Sequence, residues 1–239
     1  MNTSNSTKPV NDPERSAIIR DALGIGIATG AYSLSFGAIS VASGLSMLQT
    51  CALSLLLFSG GSQFALVGVL GAGGSPVAAA GTAVLLGSRN ALYGLRLAPL
   101  LRVRGLRRAA AAQLVIDESS AMAVGRESGT DGGRAARLAF WSTGLSVFVL
   151  WNLGTLLGGF GARSLSDPRV LGLDAAAPAA FLALLAPRMR SREPWVIALT
   201  AAAVALVAVP FVPAGVPVLL AAATAALLVL RARTGAAAK

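Results

Sequence analysis

The sequence predicts an all-α fold: a polytopic helical membrane protein with about seven or eight membrane segments, some of them broken or re-entrant. Three observations carry this expectation. Of 239 residues, 55% are hydrophobic and 13% charged, and the mean hydropathy is +0.71, far from the mixed composition of a soluble domain. Several windows long enough to cross a bilayer, about 18 residues or more, carry no charge at all. The charges gather in short basic loops between the apolar runs, as a positive-inside topology requires.

In chain order, residues 1–16 are rich in Asn, Ser, Thr and Pro and read as a disordered cytoplasmic tail. They lack the basic start, short apolar core and small-residue cleavage site of a signal peptide, so no cleaved leader is expected. A single integral-membrane domain follows over 17–233, and 234–239 form a short cytoplasmic tail. Its apolar segments run over 22–42, 50–70, 76–100, 138–157, 173–186, 195–209 and 211–230. An eighth, 109–124, is shorter and carries Asp117 and Glu118. A perpendicular span needs about 20 residues at 1.5 Å each, so the segments starting at 173 and 195 are short.

Lys and Arg total 20 against 10 Asp and Glu, a net charge of +10. Nucleic acid is not the expected partner, because no aromatic platform for bases interleaves with the arginines. Arg102, Arg104, Arg107, Arg108, then Arg188, Arg190, Arg192, then Arg231 and Arg233 flank apolar runs, and the lipid bilayer is the expected surroundings. Read back from Arg231, the loops alternate with a cytoplasmic C-terminus. The N-terminal half conflicts: if the N-terminus is inside and the first three segments all span, the arginines from 102 to 108 fall outside. Either 76–100 is broken or re-entrant, or that basic loop is external and 109–124 is a true span. Both versions keep both termini in the cytoplasm of a multi-pass membrane protein.

Arg89 is the most informative residue. With Asn90 it lies deep in an apolar stretch, and its guanidinium stays charged at ordinary pH. At mid-membrane it costs about 2.5 to 3.5 kcal/mol on insertion scales and more in simulation, so it marks a functional site by default. Ser59, Gly60, Gly61, Ser62 and Gln63 interrupt the second segment, and each glycine costs about 1 kcal/mol against Ala inside a helix. A helix broken there exposes N–H and C=O groups that are tolerated only inside protein or along a cavity, and its half-helix ends suit a small zwitterion. Close helix packing through small residues is the alternative for the glycines. Gly26 and Gly30 read as a packing face, while Ser33 and Ser35 are weaker candidates for a polar path. Asp117 and Glu118 are adjacent acids in an apolar stretch. Burial favours a neutral acid and a nearby Arg favours the carboxylate, so the pair is a candidate proton carrier; solvated acids at a helix end are the alternative. Tyr93, Trp151 and Asn152 are read as cavity walls or anchors. Cys51 is the one cysteine and says nothing about redox compartment.

An enzyme is not expected. No His is present for a Ser-His dyad or an imidazole metal site, and no G-x-S-x-G elbow occurs. Neither a metal nor another cofactor is expected.

The run Phe58 to Phe64, then Ser88 to Gly94 around Arg89, Asn90 and Tyr93, then Ile116-Asp117-Glu118, then Trp151 to Gly158 and the Pro178 segment, resembles the AzlC family. The resemblance covers nearly the whole chain from about residue 15 to 231. It implies an inner-membrane permease exporting branched-chain amino acids such as valine, leucine and isoleucine, with a small AzlD-type membrane subunit as partner. It also maps Gln63, Arg89 and the pair Asp117 and Glu118 onto the family's motifs. The chain departs from the family pattern with Gly60 and Gly61 in place of a small residue and Ala, and with Asn90 in place of His. The resulting expectation is a secondary, proton-coupled transporter; the alternative is a non-transporting assembly or channel subunit.

Overall fold

The structure is a computed structural model and describes residues 12–127, 133–164, 182, 185 and 189–237. Every regular element among them is helical: α1 (Asp12–Ala42), α2 (Met47–Leu56), α3 (Gly60–Gly71), α4 (Pro76–Leu101), α5 (Leu106–Gln113), α6 (Asp117–Val124), α7 (Arg134–Ser164), α8 (Arg192–Ala208) and α9 (Val216–Ala237). α1 begins inside the expected tail, with Pro13 and the acids Asp12 and Glu14 in its first turn, where fixed φ and negative charge favour a helix start. α9 likewise continues into the expected C-terminal tail. The expected segment 173–186 lies outside the described residues apart from Leu182 and Leu185.

α1 and α7 form the central pair, and they run parallel. Small residues on facing stripes bring backbone against backbone. A Cβ on Gly154 would stand 2.3 Å from the Gly30 carbonyl oxygen, one on Gly37 2.1 Å from that of Thr155, and one on Gly158 2.0 Å from that of Leu34. The packing expected for Gly26 and Gly30 is therefore present, and Ser33 joins it, donating to the Gly30 carbonyl at 2.7 Å.

Small polar side chains are buried within an apolar core, while many large apolar ones face outward. Ser33, Ser40, Thr50, Ser62, Gln63, Thr82, Ser119, Thr143 and Thr155 are fully buried, while Leu23, Ile27, Val84, Leu92, Leu95, Val149, Leu206 and Val207 are exposed. α1 and α7 have both the length and the apolar composition to cross a membrane. α4 is also long, at 26 residues or about 39 Å, with Arg89 and Arg96 lowering its hydropathy.

Contacts sort the helix termini into two ends of the bundle. At one end Ile18 of α1 packs on Ala135 and Ala139 of α7, Asp21 pairs with Arg126 at 2.7 Å, Arg96 pairs with Glu127, and Arg137 donates to the Leu100 carbonyl. At the other, Ser40 bonds Thr50 at 2.8 Å, Met47 abuts Gly159, and Gly71 sits beside Ser43. α2 thus leaves the second end and α3 returns to it, while α5 and α6 do the same from the first. Each pair is a hairpin that leaves and returns to one end of the bundle. Their tips meet: Gln113 at the end of α5 donates to the Leu55 carbonyl of α2 at 2.8 Å.

This corrects the sequence expectation that 76–100 is a broken or re-entrant element. α4 is continuous, and the returning segments are 47–71 and 106–124. The turn between α8 and α9 packs near Val69, Gly74 and Ala78 at the second end.

Candidate functional site

The first break arises at Leu57, Phe58 and Ser59, where Leu57 leaves helical geometry and Ser59 is extended (φ −157°, ψ 102°). The Leu57 N–H still bonds the Leu53 carbonyl and the Ser59 N–H bonds that of Leu57, but the carbonyls at the end of α2 are otherwise short of helical donors. Gln63 supplies them. Its Nε2 donates toward Leu57 at 2.9 Å, Leu53 at 3.2 Å and Ser54 at 3.5 Å, while its Oε1 accepts from Trp151 Nε1 at 2.9 Å. Gln63 is therefore a strut holding the break open, and it reaches the cavity only through Trp151.

The second break, at Leu114, Val115 and Ile116, is held in an analogous way by Ser119. Its hydroxyl donates to the Leu114 carbonyl at 2.6 Å and accepts from the Ile116 N–H at 3.2 Å. Asp117 and Glu118 then occupy the first turn of α6, where the helix dipole favours negative charge.

Between the two breaks lies a cavity of about 70 Å³, lined by Ser59, Gly60, Gly61, Arg89, Asp117 and Glu118 together with Thr29, Tyr32, Phe58, Ile116, Val147 and Trp151. Six of the residues expected at the site thus converge. Arg89 stands mid-helix on α4, about 18–20 Å from either end, and its Nη2 pairs with Asp117 Oδ2 at 2.6 Å. Tyr93 donates to the other oxygen, Oδ1, at 2.8 Å and so orients the same carboxylate from behind. Arg89 Nε and Asn90 Oδ1 are buried without a partner among the described residues.

Of the other expected residues, Ser62 bonds back to Ser59 at 3.2 Å and Asn90 lies beside Arg89; with Gln63 and Tyr93 they support the lining without belonging to it. Asn152 bonds back to the Phe148 carbonyl and does not line the cavity.

One wall is aromatic. Tyr32 stacks on Phe64 with centroids 4.8 Å apart and meets Trp151 edge-on at 5.7 Å. Gly60 is required there: a Cβ would stand 2.8 Å from Trp151 Cη2. Beside this wall the first-turn N–H groups of α3, at Gly60 and Gly61, have no acceptor within the helix and Ser59 offers no side-chain cap. The site therefore combines a donor-rich helix start, a cation, two carboxylates and an apolar flank.

Thr29 and Tyr32 were not singled out from the sequence. Only the crossing of α1 over both breaks brings them in, although an isolated Tyr in an apolar run was a signal of its own.

Comparison with curated proteins and with solved structures finds no match. A family model described as AzlC protein matches residues 24–165, which spans α1 to α7 apart from the first turns of α1 and takes in both breaks. The chain belongs to the AzlC family, which is associated with branched-chain amino acid transport.

Proposed function

We propose that this protein is a secondary transporter that exports valine, leucine and isoleucine across the cell (inner) membrane together with a small AzlD-type subunit. The observation that carries the reading is the single cavity in which both helix breaks, Arg89 and the two acids meet. The substrate carboxylate would sit on the α3 N-terminus at Gly60 and Gly61 near Arg89, its ammonium against Asp117 or Glu118, and its aliphatic side chain against Tyr32, Phe58 and Val147. Half-helix ends at mid-membrane suit a zwitterion in this way. At about 70 Å³ the cavity lies far below the roughly 300 Å³ of an open ligand site, so this is a closed state and loading requires one hairpin to move.

The basic end of the bundle, with Arg102, Arg104, Arg107, Arg108, Arg126 and Arg137, is taken as cytoplasmic by the positive-inside rule. α1, α4, α7, α8 and α9 then cross and the two hairpins enter from opposite faces; the eighth segment expected from the sequence, 173–186, falls almost wholly outside the described residues. Asp117 and Glu118 carry the coupling proton. One proton moving through 100 mV supplies about 2.3 kcal/mol, close to a fiftyfold solute gradient.

The test is export of valine from cells loaded with a valine dipeptide, with and without the small subunit. Efflux that needs both chains supports the reading; equal efflux from cells lacking this chain removes it, and an assembly subunit becomes the better account.

A further inference from the structure

We infer that the turn joining α4 to α5 is a binding site for an anionic phospholipid. Arg102, Arg104 and Arg107 line, with Arg137 and Trp141, an open groove of about 1180 Å³. A second groove of about 490 Å³ runs between α4 and α5 along Ala91, Leu95, Ala98 and Ala112, and it is apolar apart from Arg104 and Arg108 at its mouth. Arg104 borders both. A phosphate seated at Arg104 and Arg107 therefore has an acyl-sized apolar channel beside it.

Among the described residues Arg96 pairs with Glu127, and Arg20 and Arg126 pair with Asp21, whereas no acid pairs with Arg102, Arg104, Arg107 or Arg108. The turn is also shaped rather than loose. Arg102 adopts a left-handed conformation (φ 52°) with its Nε donating to the Pro99 carbonyl at 3.1 Å, and Gly105 (φ 57°) lets the chain double back. Leu106, 90% exposed between the arginines, and Trp141 in the groove wall fit the headgroup level of a bilayer, where apolar and aromatic side chains flank cations. Basic pockets between membrane helices recognise anionic headgroups by this combination. A free phosphate would use the arginines and leave the apolar groove empty; a phospholipid fills both and ties α4 to α5, the helix that leads into the second break.

The experiment is native mass spectrometry of the purified full chain after exchange into equal phosphatidylglycerol and phosphatidylethanolamine, with inorganic phosphate as a competitor in a parallel arm. Phosphatidylglycerol is retained preferentially. At about fivefold per arginine, R104Q/R107Q weakens its retention about 25-fold, and R104K/R107K keeps most of it. A98F, which fills the apolar groove and leaves the charge intact, also weakens retention. Melting temperatures in phosphatidylethanolamine alone, unchanged across the variants, verify folding. Equal retention of the two lipids, indifference to R104Q/R107Q or to A98F, or displacement by millimolar phosphate overturns the inference. None of these outcomes depends on transport, so the site and the proposed function fail separately.

Discussion

Replacing Gln63 by Leu tests whether a buried amide, rather than loop flexibility, keeps the first helix break in place. Leu fills a similar volume but removes the donors facing Leu57 and Leu53 and the acceptor for the Trp151 indole. Gln63 is fully buried, so water cannot replace it. An orphaned buried donor or acceptor costs about 1–3 kcal/mol. With the Trp151 N–H stranded, and the Leu57 and Leu53 carbonyls left to the backbone N–H groups of Ser59 and Leu57, Q63L costs about 1–3 kcal/mol. For a chain of this size each kcal/mol moves the midpoint by about 2–4 °C, so the thermal midpoint in detergent falls by about 2–12 °C. In a W151F background the indole donor is already gone, and Q63L costs about 1–2 kcal/mol less, a coupling that a double-mutant cycle reads directly. A Q63L midpoint equal to wild type, or strictly additive losses, would refute the strut.

Further outcomes follow from the same geometry. D117N and E118Q flatten the pH dependence of valine efflux in vesicles if either acid carries the coupling proton; an unchanged profile in both removes the coupling. S43C/G71C in a C51A background crosslinks on mild oxidation, because a Cβ on Gly71 lies 3.3 Å from that of Ser43, near disulfide range. A chain in which α3 ended at the opposite face would give no crosslink. G154V forces its side chain into the Gly30 carbonyl and Ser33 hydroxyl, 2.3 and 2.1 Å from its Cβ. It costs about 3 kcal/mol or more by overpacking, read as a lower melting midpoint beside a neutral G24A control with open space around it.

The first break was legible in the sequence because two adjacent glycines inside an apolar run are a local cost that needs a reason. The second was not. Leu114, Val115 and Ile116 are ordinary apolar residues, and what stops α5 there is Ser119 returning to the Leu114 carbonyl from the next turn. The conflict over the arginines from 102 to 108 suggested a broken 76–100, yet α4 runs straight through Arg89 and Asn90; the charge is met by Asp117 from another segment and no backbone bond must open. Hydropathy gave spans but not their direction. Only the placement of Gly71 beside Ser43, and of Arg126 beside Asp21, reveals that two segments turn back. That return also removes the conflict over the arginines from 102 to 108, since they share an end with the start of α1. A long amide is suited to capping carbonyls as well as to binding a ligand, and the bonds that Gln63 makes here depend on the tertiary position of Trp151, which the sequence does not show.

The most direct measurement is counterflow of labelled leucine in proteoliposomes holding this chain and the proposed small subunit, comparing wild type with R89A and R89K. R89A removes the cation that meets Asp117 at 2.6 Å in the cavity, and exchange is expected to fall at least tenfold while the protein still inserts; R89K retains a measurable part. Wild-type exchange by R89A would contradict a cavity built between two helix breaks to hold an aliphatic amino acid.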